Sequence, residues 1–256
     1  MANDNTGLPG KKIFFIHPSA FVQNNIITEL IQQEYEVYAV KDEVKLQKLL
    51  RTYPDSIVFA SIDEALPADK WEGWIRSVME DEASKTVSIG ILSNTNNEEA
   101  RRFYLNTIKV SCGFTSVKMD KNRVVAVMAD MLKMTGAKGR RKHLRADTRG
   151  ETGITINVPY DGGFINGGIR DISVVGLSCV FEQDPELEKN SLFPDIQIKL
   201  QSVLLKTEGI VFGFRMDGSD KVYVFVFTPK TDPAVHVKIR SYIQKNLQSR
   251  IDAELK

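Results

Sequence analysis

The residues best suited to chemistry lie between positions 140 and 176. Arg140-Arg141-Lys142-His143-Leu144-Arg145 concentrates cations in one short run, with Lys138 and Arg149 beside it and Asp147 as the nearby acid. Guanidiniums this close repel one another unless an anion neutralises them, so the run reads as an anion grip. Beyond a glycine-rich stretch comes Asp171-Ile172-Ser173-Val174-Val175-Gly176, a carboxylate, a hydroxyl and a glycine at a spacing that suits a shaped strand end. Asp and Ser are also common turn caps, and Lys142 and Arg149 read as flanking surface charges rather than ligands.

These groups need a scaffold. A chain of 256 residues suits two domains, at about 100–200 residues each. With 42% apolar and 26% charged residues it can build an ordinary globular core. The formal charge of +1 argues against a nucleic-acid coat over the whole protein and favours a local anion site. Cys112 and Cys179 stand far apart, with no C-x-x-C spacing, so neither a disulfide framework nor a zinc site is expected and a reducing cytoplasm fits. Residues 1–10 are polar, lack a signal-peptide core and read as a short loose tail, and no run is long enough to span a bilayer.

The first half alternates strand and helix. Ile13-Phe14-Phe15-Ile16 suits a strand buried on both faces, and apolar residues at helical spacing predict a helix over 20–33 capped by Ser19. Strands follow at 36–40, 56–60, 87–92 and 114–118. Between them lie helices marked by Val44, Leu46, Leu49 and Leu50, then at 70–82 and 97–107, with a last helix at 122–134 on which Val124, Val125, Val127, Met128, Met131 and Leu132 form the apolar side. This predicts an α/β, doubly wound parallel five-stranded sheet. It resembles the receiver domain of bacterial response regulators in architecture, but not in chemistry. His17 and Pro18 stand where receivers carry a magnesium-binding acidic pair, and Ala60 where they carry the phosphorylated Asp, although Ser93 and Lys118 match the family's hydroxyl and lysine. Lacking those carboxylates, the domain reads as a pseudo-receiver over 11–135. His17 is expected to be a hydrogen-bonded or surface histidine, Trp71 and Trp74 to be packing residues, and Asp63 and Glu64 to be poorly aimed as phosphoacceptors.

Thr135-Gly136-Ala137-Lys138-Gly139 ends the last helix and marks the domain joint. From Gly150 the pattern is all-β. Strands are expected at 154–158, 169–173, 177–181, 196–200, 202–207, 210–216 and 222–227, with turns at Asp161-Gly162-Gly163 and Asn166-Gly167-Gly168, and a helix over 233–255 closes the chain. Short strands with frequent turns argue for a small antiparallel barrel.

In this setting Arg141 and Arg145 fill R-x-x-x-R, and Asp171, Ser173 and Gly176 fill D-x-S-x-x-G. The two motifs in this order resemble the PilZ family, whose members are receptors for the bacterial messenger cyclic di-GMP. The resemblance implies a six-stranded antiparallel β-barrel with a C-terminal helix over 139–256, no metal or cofactor, and cyclic di-GMP as ligand. An arginine fork matches guanine O6 and N7 and stacks on purine faces, so Arg141 and Arg145 would clamp guanine and phosphate with Arg140 as an auxiliary cation. Asp171 would accept from guanine N1–H and N2–H, Ser173 would offer its hydroxyl, and Gly176 would leave room for the backbone. The late strand 223–227 lacks the glycine that PilZ domains usually carry there.

The expected function is a non-enzymatic messenger receptor. Ligand capture at the joint would change domain arrangement or partner binding, with an unidentified protein partner meeting the pseudo-receiver domain. The alternative is a nucleic-acid-binding regulatory protein using the basic linker, against which the lack of a second basic stretch and of clustered exposed aromatics counts. A phosphorylation-regulated response regulator is disfavoured by Ala60. Catalysis is disfavoured because three histidines and no convergent carboxylate pair offer little for a catalytic centre.

Overall fold

The computed structural model describes residues 10–256; the loose tail expected at the start of the chain falls, but for Gly10, outside the described residues. The described residues divide into two compact units, residues 10–142 with 248–256, and residues 143–247.

In the first unit, strands β1 (Ile13–Ile16), β2 (Val37–Val40), β3 (Ile57–Ser61), β4 (Ser88–Ser93) and β5 (Phe114–Ser116) form a five-stranded sheet in the order β2-β1-β3-β4-β5. Every neighbouring pair is parallel. Each residue of β1 and β3 is buried, as the unbroken apolar runs require when helices cover both faces. Helix α1 (Thr28–Gln32) follows β1, α2 (Glu43–Thr52) follows β2, and α3 (Ala68–Glu80) follows β3. Helices α4 (Glu98–Arg102) and α5 (Lys121–Met134) complete the layers. Side chains of Asp42, Asn97 and Asp120 accept backbone N–H bonds at the starts of α2, α4 and α5, satisfying donors that have no intrahelical partner.

Two helices differ from the even periodicity expected of them. Val22–Ile27 is wound as a wider π-helix before α1 begins. There Thr28 donates its hydroxyl to the Gln23 carbonyl at 3.3 Å, while Ser19 reaches Val22 N–H at 3.4 Å. Phe103–Ile108 after α4 is wound the same way and stops at Lys109, whose φ is 63°. On α5 the buried side chains are Val124, Val125, Met128 and Leu132, so Val127 is corrected to the exposed side. Val44, too, is exposed at the start of α2.

The second unit contains β6 (Ala146–Asp147), β7 (Ile154–Tyr160), β8 (Gly163–Ser173), β9 (Gly176–Phe181), β10 (Leu192–Leu200), β11 (Val203–Asp217) and β12 (Asp220–Phe227). Their order is β6-β8-β7-β10-β11-β12-β9, and β8 also pairs with β9. That pairing closes six antiparallel strands into a barrel, with β6 added beside the end of β8. The core contains Ile156, Ile172, Cys179, Ile196 and Phe225, and helix α6 (Pro233–Glu254) adds Val235, Ile239, Tyr242 and Ile243 to it. Each large apolar side chain removed from water contributes roughly 1.5–3 kcal/mol, so this interior is the main source of the barrel's stability. The doubly wound sheet and the six-stranded barrel with its helix, implied by the two resemblances, are both present.

Residues 202–216 do not form two strands: β11 is one long strand, because β10 and β12 pair with it on either side across Gly209 and hold the backbone extended. Its irregularity is a bulge between Val211 and Gly213. Asn166-Gly167-Gly168 is likewise not a turn but the middle of β8. Gly167 is there because β9 passes too close for a side chain: a Cβ would lie 2.6 Å from the Val180 carbonyl oxygen. A Cβ on Gly168 would meet nothing within 4 Å.

None of the described helices is long and apolar enough to cross a membrane.

The adjacent glycines give a direct contrast. Gly167→Ala is expected to destabilise the barrel by about 1–3 kcal/mol through overpacking, and Gly168→Ala to stay within about 0.5 kcal/mol. Hydrogen exchange of the β7–β9 amides measures both; equal effects would contradict the assigned packing.

Candidate functional site

The outer face of the barrel carries a polar cluster built around Asp171. Along β9 the side chains of Leu177, Cys179 and Phe181 enter the core, while Ser178, itself only 1% exposed, alternates to the opposite face. A bulge between Ile169 and Asp171 sets Asp171 opposite Ser178 and Asp147 opposite Asp171. The Asp171 carboxylate accepts a hydrogen bond from Arg145 Nη1 at 2.9 Å on Oδ1, and on Oδ2 from the Ser178 hydroxyl. Arg215 Nη2, from β11, lies 3.9 Å from that second oxygen. Neighbouring charges are paired: Arg149 forks onto Asp147 with Nη2 2.6 Å from Oδ2, and Arg170 pairs with Asp220. The hydrogen bond and charge of Asp147 hold the Arg149 guanidinium above its ordinary pKa.

The site residues chosen from sequence are distributed unevenly. Arg145 and Asp171 meet, though their motifs are 26 positions apart. Arg140 and Arg141 are exposed and belong to the first unit. Lys138, counted with the basic run, lies in the first unit with its ammonium 4.7 Å above the Tyr35 ring. Ser173 is only 3% exposed, and its hydroxyl donates to the Gly176 carbonyl at 3.0 Å, closing the β8–β9 hairpin. Gly176 admits β12, since a Cβ would sit 2.2 Å from the Phe225 carbonyl oxygen. Ser178 and Arg215 were missed by sequence reading. The alternation of β9 could have indicated Ser178, but nothing in the local pattern of β11 singles out Arg215.

Exposed aromatics are also present. Phe212 and Phe214 on β11 are exposed, with Lys189 Nζ 5.7 Å from the Phe212 ring centre and Lys221 Nζ 4.4 Å from that of Phe214. This corrects the expectation that no exposed aromatics cluster; the alternation of β11 is disturbed by its bulge, which concealed them.

At the carboxyl end of the parallel sheet, Asp63 accepts from the Ser93 hydroxyl at 2.9 Å and from the Asn94 N–H, and Glu64 accepts from Asn94 Nδ2 at 3.1 Å. Asp63 therefore ties the loop after β3 to the end of β4. His17, with φ 48°, donates from Nε2 to Glu43 at 2.9 Å and meets the Trp71 ring edge-on. Trp71 and Trp74 are buried and donate their indole N–H groups to the Glu64 and Glu43 carbonyls. Among the described residues no group of three or more His, Cys, Asp or Glu side chains could hold a metal ion.

No protein-family model matches the sequence, and a search of curated proteins finds no significant match. Solved structures similar to parts of the chain include both PilZ and receiver domains. The PilZ domain of YcgR from Escherichia coli, determined with c-di-GMP, has a TM-score of 0.38 and 15% identity, covering 45% of this chain and 96% of that one. The inhibitor of motility MotI from Bacillus subtilis has a TM-score of 0.37 and 14% identity, covering 43% of this chain and 52% of its own. A signal receiver domain from Pseudomonas fluorescens has a TM-score of 0.42 and 12% identity, covering 52% of this chain and 95% of that one.

The hydrogen bond from His17 holds the Glu43 carboxyl below its ordinary pKa of 4.5. A carboxyl lowered on folding adds stability above its unfolded value and loses it as pH falls through the folded value. His17→Ala should therefore destabilise the first unit by about 1 kcal/mol at pH 7, and by less at a pH low enough to protonate Glu43 in the folded state. Both tryptophans lie on α3, so fluorescence-detected urea unfolding reads this unit; equal losses at the two pH values would contradict the linkage.

Proposed function

We propose that the chain is a receptor for cyclic di-GMP, with a pseudo-receiver domain over 11–135 and a PilZ domain over 139–256. The observation that carries this reading is the 2.9 Å pair between Arg145 and Asp171, which joins the end of R-x-x-x-R to the start of D-x-S-x-x-G on one barrel face. Cyclic di-GMP presents two phosphates and two guanines. A guanidinium fork serves the O6 and N7 acceptors of guanine or a phosphate, and a carboxylate serves its N1–H and N2–H donors. Arg140, Arg141 and Arg145 are assigned the cationic contacts and Asp171 the guanine edge. Ser173 and Gly176 are assigned the shaping of the hairpin that holds Asp171. Capture is proposed to be read by a protein partner of the pseudo-receiver domain.

A second reading has one observation in its favour. Exposed Phe212 and Phe214 with lysines over their rings, together with the basic run, offer stacking and phosphate contacts to a nucleic acid. It predicts binding to any duplex or single strand that collapses as salt rises.

Calorimetric titration distinguishes the two. Cyclic di-GMP should bind with micromolar or tighter affinity, and Arg145→Ala should weaken it at least about tenfold, since a charged hydrogen bond contributes roughly 1.5–3 kcal/mol. No heat from the wild type, or equal affinity after Arg141→Ala with Arg145→Ala, would refute the receptor reading.

A further inference from the structure

Arg215 is a cation that neither motif contains, yet it belongs to the Asp171 cluster. It projects from β11, on the far side of β12 from β9 and β8, and its Nη2 lies 3.9 Å from Asp171 Oδ2. That oxygen already accepts the Ser178 hydroxyl, while Oδ1 accepts Arg145. One carboxylate is thus shared by guanidiniums from two sides. The side chains of Arg145 and Arg215 remain 46% and 54% exposed, so the sharing leaves both accessible to a ligand. Arg149 and Arg170, like Arg145, are hydrogen-bonded to acids, Asp147 and Asp220, whereas Arg215 is not. At 3.9 Å Arg215 makes an electrostatic contact with Asp171 rather than a hydrogen bond, so its donors are not consumed by that carboxylate.

Strands β12 and β9 lie between the β11 backbone of Arg215 and the β8 backbone of Asp171. Val224 of β12 pairs with Ser178 of β9 on one side and with Gly213 of β11 on the other. Gly213 has open space where a side chain would stand. The Arg215 side chain reaches from β11 back to Asp171 on β8, so a phosphate on its outward donors would lie next to a base edge held by Arg145 and Asp171.

We infer that Arg215 is a further ligand residue of this site, contacting a phosphate of the bound cyclic dinucleotide while Arg145 and Asp171 hold the base end. The inference rests on the receptor reading above and extends the binding face from the two motifs to β11. A phosphate contact demands positive charge more than the planar fork that guanine requires, so lysine should substitute for Arg215 where alanine cannot.

The test is calorimetric titration of the full chain with cyclic di-GMP, using wild type, Arg145→Ala, Arg215→Ala, Arg215→Lys and, as a control on the same strand, Lys206→Ala. Circular dichroism melts accompany each variant. Arg215→Ala should weaken binding at least about tenfold with an unchanged melt, Arg215→Lys should stay within about threefold of wild type, and Lys206→Ala should bind as wild type. Loss in Arg145→Ala with full binding in Arg215→Ala would overturn this inference alone. A Lys variant as weak as the Ala variant would overturn the phosphate assignment, and a wild type that binds no cyclic di-GMP would overturn the receptor reading and this inference together.

Discussion

Closure of the barrel between β8 and β9 is the constraint on which the proposed site depends. β8 must pair with β7 along one edge and with β9 along the other, and β6 must fit beside its end. Two close approaches make this possible: Gly167 beneath the Val180 carbonyl, and Gly176 beneath that of Phe225. The closing β8–β9 ladder carries a bulge between Ile169 and Asp171, past which Asp171 stands opposite Ser178 and accepts its hydroxyl. The D-x-S-x-x-G segment is therefore mainly a backbone device. Its serine and glycine secure the hairpin, and its partly exposed aspartate carries the polar chemistry.

Stability and recognition are separated across the thickness of one sheet. Ile172, Leu177, Cys179 and Phe225 face inward to a core joined by α6, and that burial supplies most of the folding free energy. The ion pairs that Arg145, Arg149 and Arg215 make from exposed positions contribute little, about 0–1 kcal/mol each. A group of charges that folding does not require, held in fixed register by strands that it does, can be varied for ligand recognition at small cost to the fold. The first unit shows another arrangement. The carboxyl ends of its parallel strands, where open α/β sheets commonly take ligands, are occupied by internal pairs: Asp63 with Ser93 and Asn94, and His17 with Glu43.

Much of the architecture was legible because it is written in continuous patterns. The fully buried runs of β1 and β3, and the helical spacing of Leu46, Leu49 and Leu50, locate the parallel sheet and its helices without any long-range information. What was illegible is set by neighbours distant in sequence. Asn166-Gly167-Gly168 has the composition of a turn, and only the proximity of β9 makes it a strand. The π-wound turns at 22–27 and 103–108 preserve enough apolar periodicity to pass for ordinary helix. At the candidate site, motif spacing pointed to Arg145 and Asp171, which the fold brings together, but Ser173 follows the motif while its hydroxyl turns to the Gly176 carbonyl. Arg215 enters from a strand whose register against Asp171 no local pattern encodes.

On the proposed reading, one face of the barrel, centred on Asp171, takes up cyclic di-GMP. Amide and arginine side-chain chemical shifts of the uniformly labelled chain, followed by NMR during addition of cyclic di-GMP, test it most directly. The largest changes should fall on Asp171, Ser178 and the guanidinium groups of Arg140, Arg141, Arg145 and Arg215, with the β7–β10 side of the barrel unmoved. Shifts centred on that opposite side, or on the carboxyl ends of β1, β3 and β4, would contradict it.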